Sequence, residues 1–236
     1  MKKLFPLILF CFPLVLQASS AVDLEDPSID VFDKASLRRG AAFFIQNCLS
    51  CHSMKHMRYT RIAQDLEMSD EDVKRELVRV GDKITDSLLA AADPTDEATW
   101  FGTKPPDLSV TARYRGADWV YTYLRSFYSD PKRPFGTNNL VFPDVAMPNV
   151  FWEMQGIQTA VFAQKGEFDH FKPARDADMS AEKFDDTIKD LVNFMFYAAE
   201  PAQLQRRVIG KYVILFLIGF TVLAYFLKKE YWKDIA

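Results

Sequence analysis

The chain has 236 residues, of which 49% are hydrophobic and 26% are charged, so we expect a folded core rather than a disordered chain. The formal net charge of −3 at pH 7 provides no general basic surface, and we expect no nucleic-acid partner. Three cysteines are too few for a disulfide-rich scaffold.

Residues 1–21 form a predicted secretory signal peptide. Two lysines precede an apolar run over residues 4–16, and small residues follow as far as Ala21. The run is shorter than the roughly 20 residues needed to span a bilayer, so we expect cleavage near Ala21 rather than an uncleaved anchor. Bulky residues before Cys11 disfavour a lipoprotein. The mature chain is then exported and keeps two cysteines.

The most informative motif follows a predicted helix. Leu37, Ala41, Phe44 and Ile45 recur at helical spacing, which predicts a helix over residues 36–47. It ends at the C-x-x-C-H run Cys48-Leu49-Ser50-Cys51-His52, which is typical of haem attached by two thioether bonds. Two cysteines at this spacing reach both vinyl groups on one edge of the macrocycle, and the histidine then meets the iron. The motif predicts one covalently bound haem c and redox chemistry.

Zinc, a disulfide and a thioredoxin-like site are the alternatives for this motif. Zinc needs two further ligands, and outside the motif only Cys11, His56 and His170 remain. A thioredoxin-like C-x-x-C follows a buried strand and opens a helix, whereas Cys48 lies at a helix end. Haem attachment is therefore favoured.

The body over residues 22–205 is long enough for one domain with its own core. Few short strand signals occur, so a mainly α domain with long loops is expected. Three more helices are predicted: one capped by Ser69 with Val73, Leu77 and Val80 on one face; one over Asp118–Tyr128 with Trp119, Tyr123 and Phe127 four apart; and one capped by Ser180 with Phe184, Ile188, Leu191, Val192 and Met195 on one stripe.

An acidic run includes the first of those helices and continues beyond it. Residues 65–97 hold eleven acidic and four basic side chains. A charge run of this kind is most often a solvated face without a partner. In an electron carrier, however, an acidic surface near the haem edge steers a basic soluble cytochrome c, and this is our hypothesis for the run.

The stretch from 129 to 149 contains four prolines and a glycine, which predicts a long irregular loop. Long loops inside compact domains are usually functional. Met147 in this loop is the best candidate for the second axial ligand, because thioether sulfur favours ferrous iron and raises the reduction potential. Pro148 biases the backbone at Met147 toward an extended form.

Other methionines and histidines compete with Met147. Met154 is the main rival, but it lies among core-like aromatic residues. Met54 and Met57 follow the proximal histidine too closely, and Met195 belongs to a helix stripe. His56 and His170 are expected at the surface.

The last apolar segment, residues 208–227, predicts a transmembrane helix, with the anchor assigned to residues 206–228 and a tail over 229–236. Aromatic residues flank both ends, where they favour the headgroup region. The segment is apolar on all faces, which argues against a buried core helix. The export signal places the body outside and the tail in the cytoplasm.

These residues together resemble the cytochrome c1 family, the haem subunits of quinol:cytochrome c oxidoreductase (bc1) complexes. The resemblance runs from about Asp30 to the C-terminus. It rests on Arg38-Arg39-Gly40, on Cys48 to Met54, on Pro105-Pro106-Asp107-Leu108-Ser109, on Ala112-Arg113 with Gly116-Ala117-Asp118, on Ala146-Met147-Pro148 and on Phe196 to Pro201 before one anchor. One departure is Trp100 to Lys104, where the family usually has an Asn-rich turn.

The resemblance implies a class I c-type cytochrome core, in which the helix ending at Cys48 crosses the helix that contains Leu191. Gly40 would allow the close approach, and Phe44 would supply an aromatic ring at the crossing. It also implies that Met147 is the sixth ligand and that Arg113 lies near a haem propionate. Pro105 and Pro106 are expected to line the haem pocket.

The same resemblance implies an electron-transfer subunit of the inner membrane with its haem domain in the periplasm. It takes electrons from a Rieske iron-sulfur protein, gives them to a cytochrome c, and assembles with cytochrome b and membrane lipid. It is not an enzyme on its own. A free-standing membrane-tethered carrier is the alternative from another class, and a peroxidase is disfavoured because it needs an open iron position.

Overall fold

The computed structural model describes residues 22–81, 83–164 and 166–234, and the expected signal peptide lies outside them. Roughly half of the described residues are helical, so the chain is mainly α. The helices are α1 (Lys34–Asn47), α2 (Tyr59–Leu66), α3 (Asp70–Glu76), α4 (Pro94–Phe101), α5 (Thr111–Arg115), α6 (Ala117–Arg125), α7 (Trp152–Gln155), α8 (Ala181–Ala199) and α9 (Gln203–Tyr231). The strands are β1 (Met54–Arg58), β2 (Ser87–Leu88), β3 (Phe127–Ser129), β4 (Thr137–Asn139), β5 (Ile157–Phe162) and β6 (Phe168–Arg175).

Helices α1 and α8 cross at the centre of the core. A Cβ atom built on Gly40 of α1 would lie 2.0 Å from the carbonyl oxygen of Asp190 in α8, so only glycine fits the contact. Next to it, the rings of Phe44 and Phe194 pack with centroids 5.9 Å apart. The predicted crossing at Gly40 and Phe44 is confirmed, and it fixes where α1 delivers the C-x-x-C-H motif.

Two of the predicted N-caps are confirmed. The hydroxyl of Ser69 accepts a hydrogen bond from the Asp72 amide at 3.1 Å, and the hydroxyl of Ser180 accepts from the Lys183 amide at 3.3 Å. The helix before the haem motif begins two residues earlier than predicted, because the Asp33 carboxylate caps it. Each such cap stabilises its helix by about 1 kcal/mol.

Two predicted helices end earlier than expected. Helix α3 stops before Val80, because the amides of Leu77 and Val78 both bond to the Val73 carbonyl and close the last turn. Helix α6 stops at Arg125, so Phe127 lies in β3 instead of on the helix. There, the side-chain amide of Asn139 donates to the Tyr123 carbonyl at 2.7 Å and replaces the next helical bond.

The strands form three separate two-stranded antiparallel sheets, β1-β2, β3-β4 and β5-β6. Strand β4 lies inside the stretch that was predicted to be irregular throughout, and it pairs Thr137 with Ser129. Strands β5 and β6 form a hairpin that pairs Ile157 with Arg175 at one end and Phe162 with Phe168 at the other. Both strands are longer than the short strands that the sequence predicts. Sheet β1-β2 contributes Met54, Met57 and Leu88 to the core.

Helix α9 is a single run of 29 residues with a mean hydropathy of 2.0 over its most apolar window, and none of that window is buried against the rest of the chain. At 1.5 Å per residue its length is about 43 Å, which exceeds the roughly 30 Å hydrocarbon core of a bilayer. By length and composition it is able to cross a membrane. It begins before the predicted boundary at residue 206 and continues past 228.

Candidate haem site

A cavity of about 620 Å³ opens between the C-x-x-C-H turn, the segment around Pro105, helix α6 and the loop before α7. Its walls are mostly apolar, and α8 forms its floor with Leu191 and Met195. The lining includes Cys48, Cys51, His52, Phe101, Lys104, Pro105, Pro106, Leu108, Tyr114, Arg115, Trp119, Tyr123, Phe142, Met147 and Phe151. Six of the seven predicted site residues therefore face one cavity.

The C-x-x-C-H motif is a tight turn at the end of α1. The Cys48 amide still bonds to the Phe44 carbonyl, whereas the amides of Cys51 and His52 both bond to the Cys48 carbonyl, at 3.1 and 2.8 Å. Both thiols are free rather than joined in a disulfide. Burial raises the pKa of Cys48 to about 12, so it stays a neutral thiol at pH 7. Two thiols and one imidazole thus project from a single rigid turn.

The two histidines outside the motif are the other candidate ligands for zinc. Within the described residues, no group of three or more His, Cys, Asp or Glu side chains is arranged to hold a metal ion. His56 and His170 are both exposed, as expected, and neither lines the cavity. His170 instead contacts the neighbouring Asp169 at 2.9 Å.

The orientation of His52 is set by a backbone carbonyl. Its Nδ1 lies 2.9 Å from the Pro106 oxygen. A carbonyl only accepts, so Nδ1 carries the proton and Nε2 keeps a free lone pair. Burial lowers the pKa of His52, which favours the neutral ring that a metal requires. Pro106 thus acts through the tautomer of His52, a role that adds to its place in the lining.

The Pro105-Pro106 segment is itself held against the motif by hydrogen bonds. The Leu108 amide donates to the Ser53 carbonyl at 2.8 Å, and the Asp107 carboxylate accepts from the amides of Lys55 and Ser109, each at 3.0 Å. Partial burial would raise the pKa of Asp107, but these bonds outweigh it and hold the pKa below its usual value.

Replacing Asp107 with asparagine should destabilise the domain by about 1–2 kcal/mol, because both amides lose a charged acceptor. A carboxylate with a lowered folded pKa stabilises the protein above its unfolded pKa, about 3.9, and this contribution disappears as the pH falls through the folded value. Thermal melting of the haem-loaded protein should therefore separate parent and variant at pH 7 and bring them together toward pH 3. Asp186→Asn, at an exposed position of α8, serves as the control. A constant difference across that pH range would contradict the assignment.

Met147 lies in the loop that closes the cavity, and its Sδ accepts a hydrogen bond from the Tyr123 hydroxyl at 3.3 Å. The loop is held in place by Arg133, whose guanidinium donates to the Asp144 carbonyl at 2.7 Å and pairs with the Asp144 carboxylate at 2.9 Å. Met154, the rival ligand, lies in α7 and is not part of the lining. Geometry thus favours Met147.

Met54, Met57 and Met195, the other methionines weighed against Met147, are buried. Met54 and Met57 are fully buried, as expected from their positions just after His52. Met195 is buried in the α8 stripe, and it also contributes to the cavity floor, which the helical pattern alone did not indicate. Neither group competes with Met147 for the open side of the cavity.

Arg113, expected at a haem propionate from the resemblance, is exposed and does not line the cavity. Its guanidinium pairs with the Glu200 carboxylate, which also accepts from Arg206 at 3.0 Å. The cations that do line the cavity are Lys104 and Arg115. The Arg115 guanidinium lies 4.6 Å above the Trp119 ring. The sequence analysis missed Lys104, Arg115 and the cavity-facing role of Trp119 and Tyr123, because helical spacing indicated a buried stripe but not what the stripe faces.

The residues present fit a covalently bound haem. The cavity volume lies within the roughly 300–1,000 Å³ typical of cofactor sites, and its apolar walls match a macrocycle. Two thiols, an imidazole with a free Nε2 and a thioether provide the donor set of a His/Met-ligated c-type haem. Lys104 and Arg115 in the lining would supply positive charge for the two propionates of a haem.

Known proteins resemble this chain over nearly its whole length. The family model described as Cytochrome C1 family matches residues 25–235. A protein named Cytochrome c1 from Allochromatium vinosum is 44% identical over 242 residues, which cover 99% of each chain. The Ammonia monooxygenase gamma subunit of Nitrosomonas europaea is 44% identical over 236 residues, covering 100% of this chain and 99% of that one. A chain of a solved Hyperthermophilic respiratory Complex III covers 85% of this chain and 77% of its own at 19% identity, with a TM-score of 0.39.

Proposed function

This chain belongs to the cytochrome c1 family, and we propose that it is the electron-transfer subunit of a respiratory bc1 complex, passing single electrons from a Rieske iron-sulfur protein to a cytochrome c. When bound, the haem c supplies an iron that takes up and releases one electron at a time. The observation that carries the proposal is that both cysteines, His52 and Met147 line one cavity.

Four side chains hold the haem in this proposal. Cys48 and Cys51 attach it covalently, so it cannot dissociate from an exported protein. His52 and Met147 would ligate its iron through Nε2 and Sδ, and with both ligands in place the iron would have no position for a substrate. The subunit is therefore an electron carrier and not an enzyme on its own. The proposed fold is a class I c-type cytochrome core, in which crossed helices α1 and α8 support the haem turn.

The propionates are proposed to lie toward Lys104 and Arg115, because these two cations line the cavity. Arg113 at a propionate stays a prediction, since its guanidinium would first have to leave Glu200. Its pair with Glu200 joins α5 to the start of α9 through Arg206, so Arg113 also helps to orient the haem domain on its anchor. Pro105 and Pro106 wall the pocket beside His52.

We place the haem domain in the periplasm, α9 across the inner membrane in a single pass, and the C-terminus in the cytoplasm. The predicted export signal supports this orientation, and α9 is long and apolar enough for the span. Its unburied apolar surface suits contact with lipid and with cytochrome b, the proposed membrane partner.

The acidic run over residues 65–97 is the proposed docking region for cytochrome c, but part of its charge is not available. Glu97 is only 2% exposed, and Glu67 and Asp72 are paired with basic side chains. We expect the rate of cytochrome c reduction to fall as ionic strength rises, because screening weakens steering over distances of about 10 Å at 0.1 M salt. A rate that does not depend on salt would remove this surface from the proposal.

Purification of the tagged chain from its own membranes in mild detergent tests the proposed function. The expected preparation contains b-type haem, an iron-sulfur protein and antimycin-sensitive cytochrome c reductase activity. A lone c-type haem, stable without partners, would instead support a free-standing membrane-tethered carrier. Co-purification with the subunits of a different oxidoreductase would also overturn the bc1 assignment.

The Met147→Leu variant tests the peroxidase alternative. A peroxidase would react with peroxide before and after the substitution, whereas the proposed electron carrier should react only after Met147 is removed.

A further inference from the structure

Trp119 and Tyr123, two of three aromatic residues spaced four apart, line one wall of the haem cavity, and the third, Phe127, packs against Tyr123. Trp119 and Tyr123 of α6 stack with ring centroids 5.0 Å apart and planes within 8°. Phe127, just beyond the helix and outside the cavity lining, also contacts the Tyr123 ring, with centroids 5.3 Å apart and planes at 67°. The phenol of Tyr123 is therefore clamped by its contacts with two rings, which restrict its freedom to turn away from the cavity.

The hydroxyl of this clamped phenol points at the Met147 sulfur. The oxygen lies 3.3 Å from Sδ, which is well within the limit for a hydrogen bond to sulfur. A thioether only accepts, so the Tyr123 hydroxyl is the donor. Among the described residues, Met147 is the hydrogen-bond partner of the Tyr123 hydroxyl. Burial raises the pKa of Tyr123, so the hydroxyl keeps its proton at neutral pH.

We propose that Tyr123 is a positioning residue that acts on the iron through Met147, by donating a hydrogen bond to the sulfur that serves as the axial ligand. The inference rests on the proposed function, because it requires Met147 to be that ligand. The hydrogen bond withdraws electron density from sulfur and weakens its donation to the iron. Ferric iron depends more on that donation than ferrous iron does, so the bond favours the reduced state and raises the reduction potential.

The bond also restricts the Met147 side chain. A methionine has three rotatable bonds, and an unrestrained thioether samples several positions over a cavity. Tyr123 comes from rigid helix α6, whereas Met147 comes from an irregular loop, so the hydrogen bond transfers the order of the helix to the ligand. The same contact thus sets both the ligand's electronic donation and its orientation.

Tyr123→Phe tests the inference, because phenylalanine keeps the stacked ring and removes only the hydroxyl. We expect the ferrous-to-ferric ratio of the purified haem-loaded complex, at a fixed ambient potential, to fall by a factor of about 2 to 10, the worth of one net hydrogen bond. The far-red charge-transfer band of methionine-ligated ferric haem should persist but shift. Tyr121→Phe, a buried tyrosine of the same helix that does not line the cavity, is the matched control and should leave both readouts unchanged.

A double-mutant cycle separates an effect through the sulfur from a general change of packing. In a Met147→Leu background, Tyr123→Phe should have no further effect on the ratio, because the accepting sulfur is gone. An equal effect in both backgrounds would overturn the inference, and so would a single Tyr123→Phe variant that matches the parent in potential and spectrum.

A measurement on the unmodified protein avoids any dependence on whether the variant loads haem. The iron–sulfur vibration in resonance Raman spectra should shift when the exchangeable phenol proton is replaced by deuterium in heavy water. An unchanged vibration would contradict the hydrogen bond. If the parent protein lacks the far-red band altogether, Met147 is not the ligand, and the proposed site fails rather than the role of Tyr123 alone.

Discussion

Replacing Met147 with leucine is expected to produce the largest functional loss of any single change outside the C-x-x-C-H motif. Leucine fills a similar volume, so the cavity stays packed, but it offers no lone pair to the iron. The reduction potential should fall on the order of 0.1 V or more, within the span of about 0.8 V that axial ligands command. Potentiometric titration of the purified complex measures this fall directly.

Two further observations accompany that fall if the ligand assignment is right. The reduced Met147→Leu protein should bind carbon monoxide, because one axial position is then open, and its cytochrome c reductase rate should drop by at least an order of magnitude. Met154→Leu is the matched control, since Met154 is a half-buried methionine of the neighbouring helix α7 outside the cavity lining. If the far-red band survives in Met147→Leu and is lost in Met154→Leu, Met154 and not Met147 is the iron ligand.

The parts of the site that were predictable from sequence are those in which local chemistry decides the structure. The C-x-x-C-H spacing places its three side chains on one turn without help from the rest of the fold, and the structure shows that turn at the end of α1. Ser69 and Ser180 cap helices for an equally local reason, since each side chain bonds to an amide three residues ahead.

The parts that were not predictable depend on tertiary contacts. Helix α6 was expected to continue to Tyr128, and it stops earlier because Asn139, thirteen residues beyond Ser126, takes over the carbonyl that the next turn would use. The spacing of Trp119, Tyr123 and Phe127 indicated a buried stripe, but it did not say that this stripe faces a cavity and the Met147 sulfur. Side-chain periodicity predicts which face of a helix is buried, but the group that packs against that face depends on the tertiary fold.

The expectation that Arg113 lies near a propionate comes from family resemblance and depends on side-chain contacts that a motif does not specify. A sequence motif specifies which residues are present and in what order. It does not specify which of several nearby acceptors a long arginine side chain contacts. Here it contacts Glu200, at the entrance to the membrane helix, while Arg115 two residues later lies against the Trp119 ring and lines the cavity. Comparing Arg113→Gln with Arg115→Gln in one redox titration would show which guanidinium the propionates sense.

Substituting Gly40 with alanine is expected to have the largest structural effect in the domain. The added methyl would lie 2.0 Å from the Asp190 carbonyl oxygen and 2.7 Å from the Phe194 Cβ. The first atom is part of the α8 backbone and the second is bonded directly to it, so neither can move without moving the helix. Overpacking costs about 1–3 kcal/mol even where side chains can move, and a backbone contact belongs at or above the upper end. The gain of about 1 kcal/mol in helix propensity offsets only part of this cost.

The haem site should be affected together with stability, because α1 carries Gly40 in its middle and Cys48 at its end. Pushing α1 away from α8 displaces the whole C-x-x-C-H turn relative to the cavity wall, so covalent haem per chain should fall along with the thermal midpoint in detergent. Gly210→Ala is the control: among the described residues, a Cβ at Gly210 in α9 meets nothing within 4 Å beyond its chain neighbours and its own helix backbone, so both measurements should stay near the parent. A Gly40→Ala protein with parental melting and full haem content would mean that the two helices separate at little cost, and the crossing would then not be what fixes the haem turn.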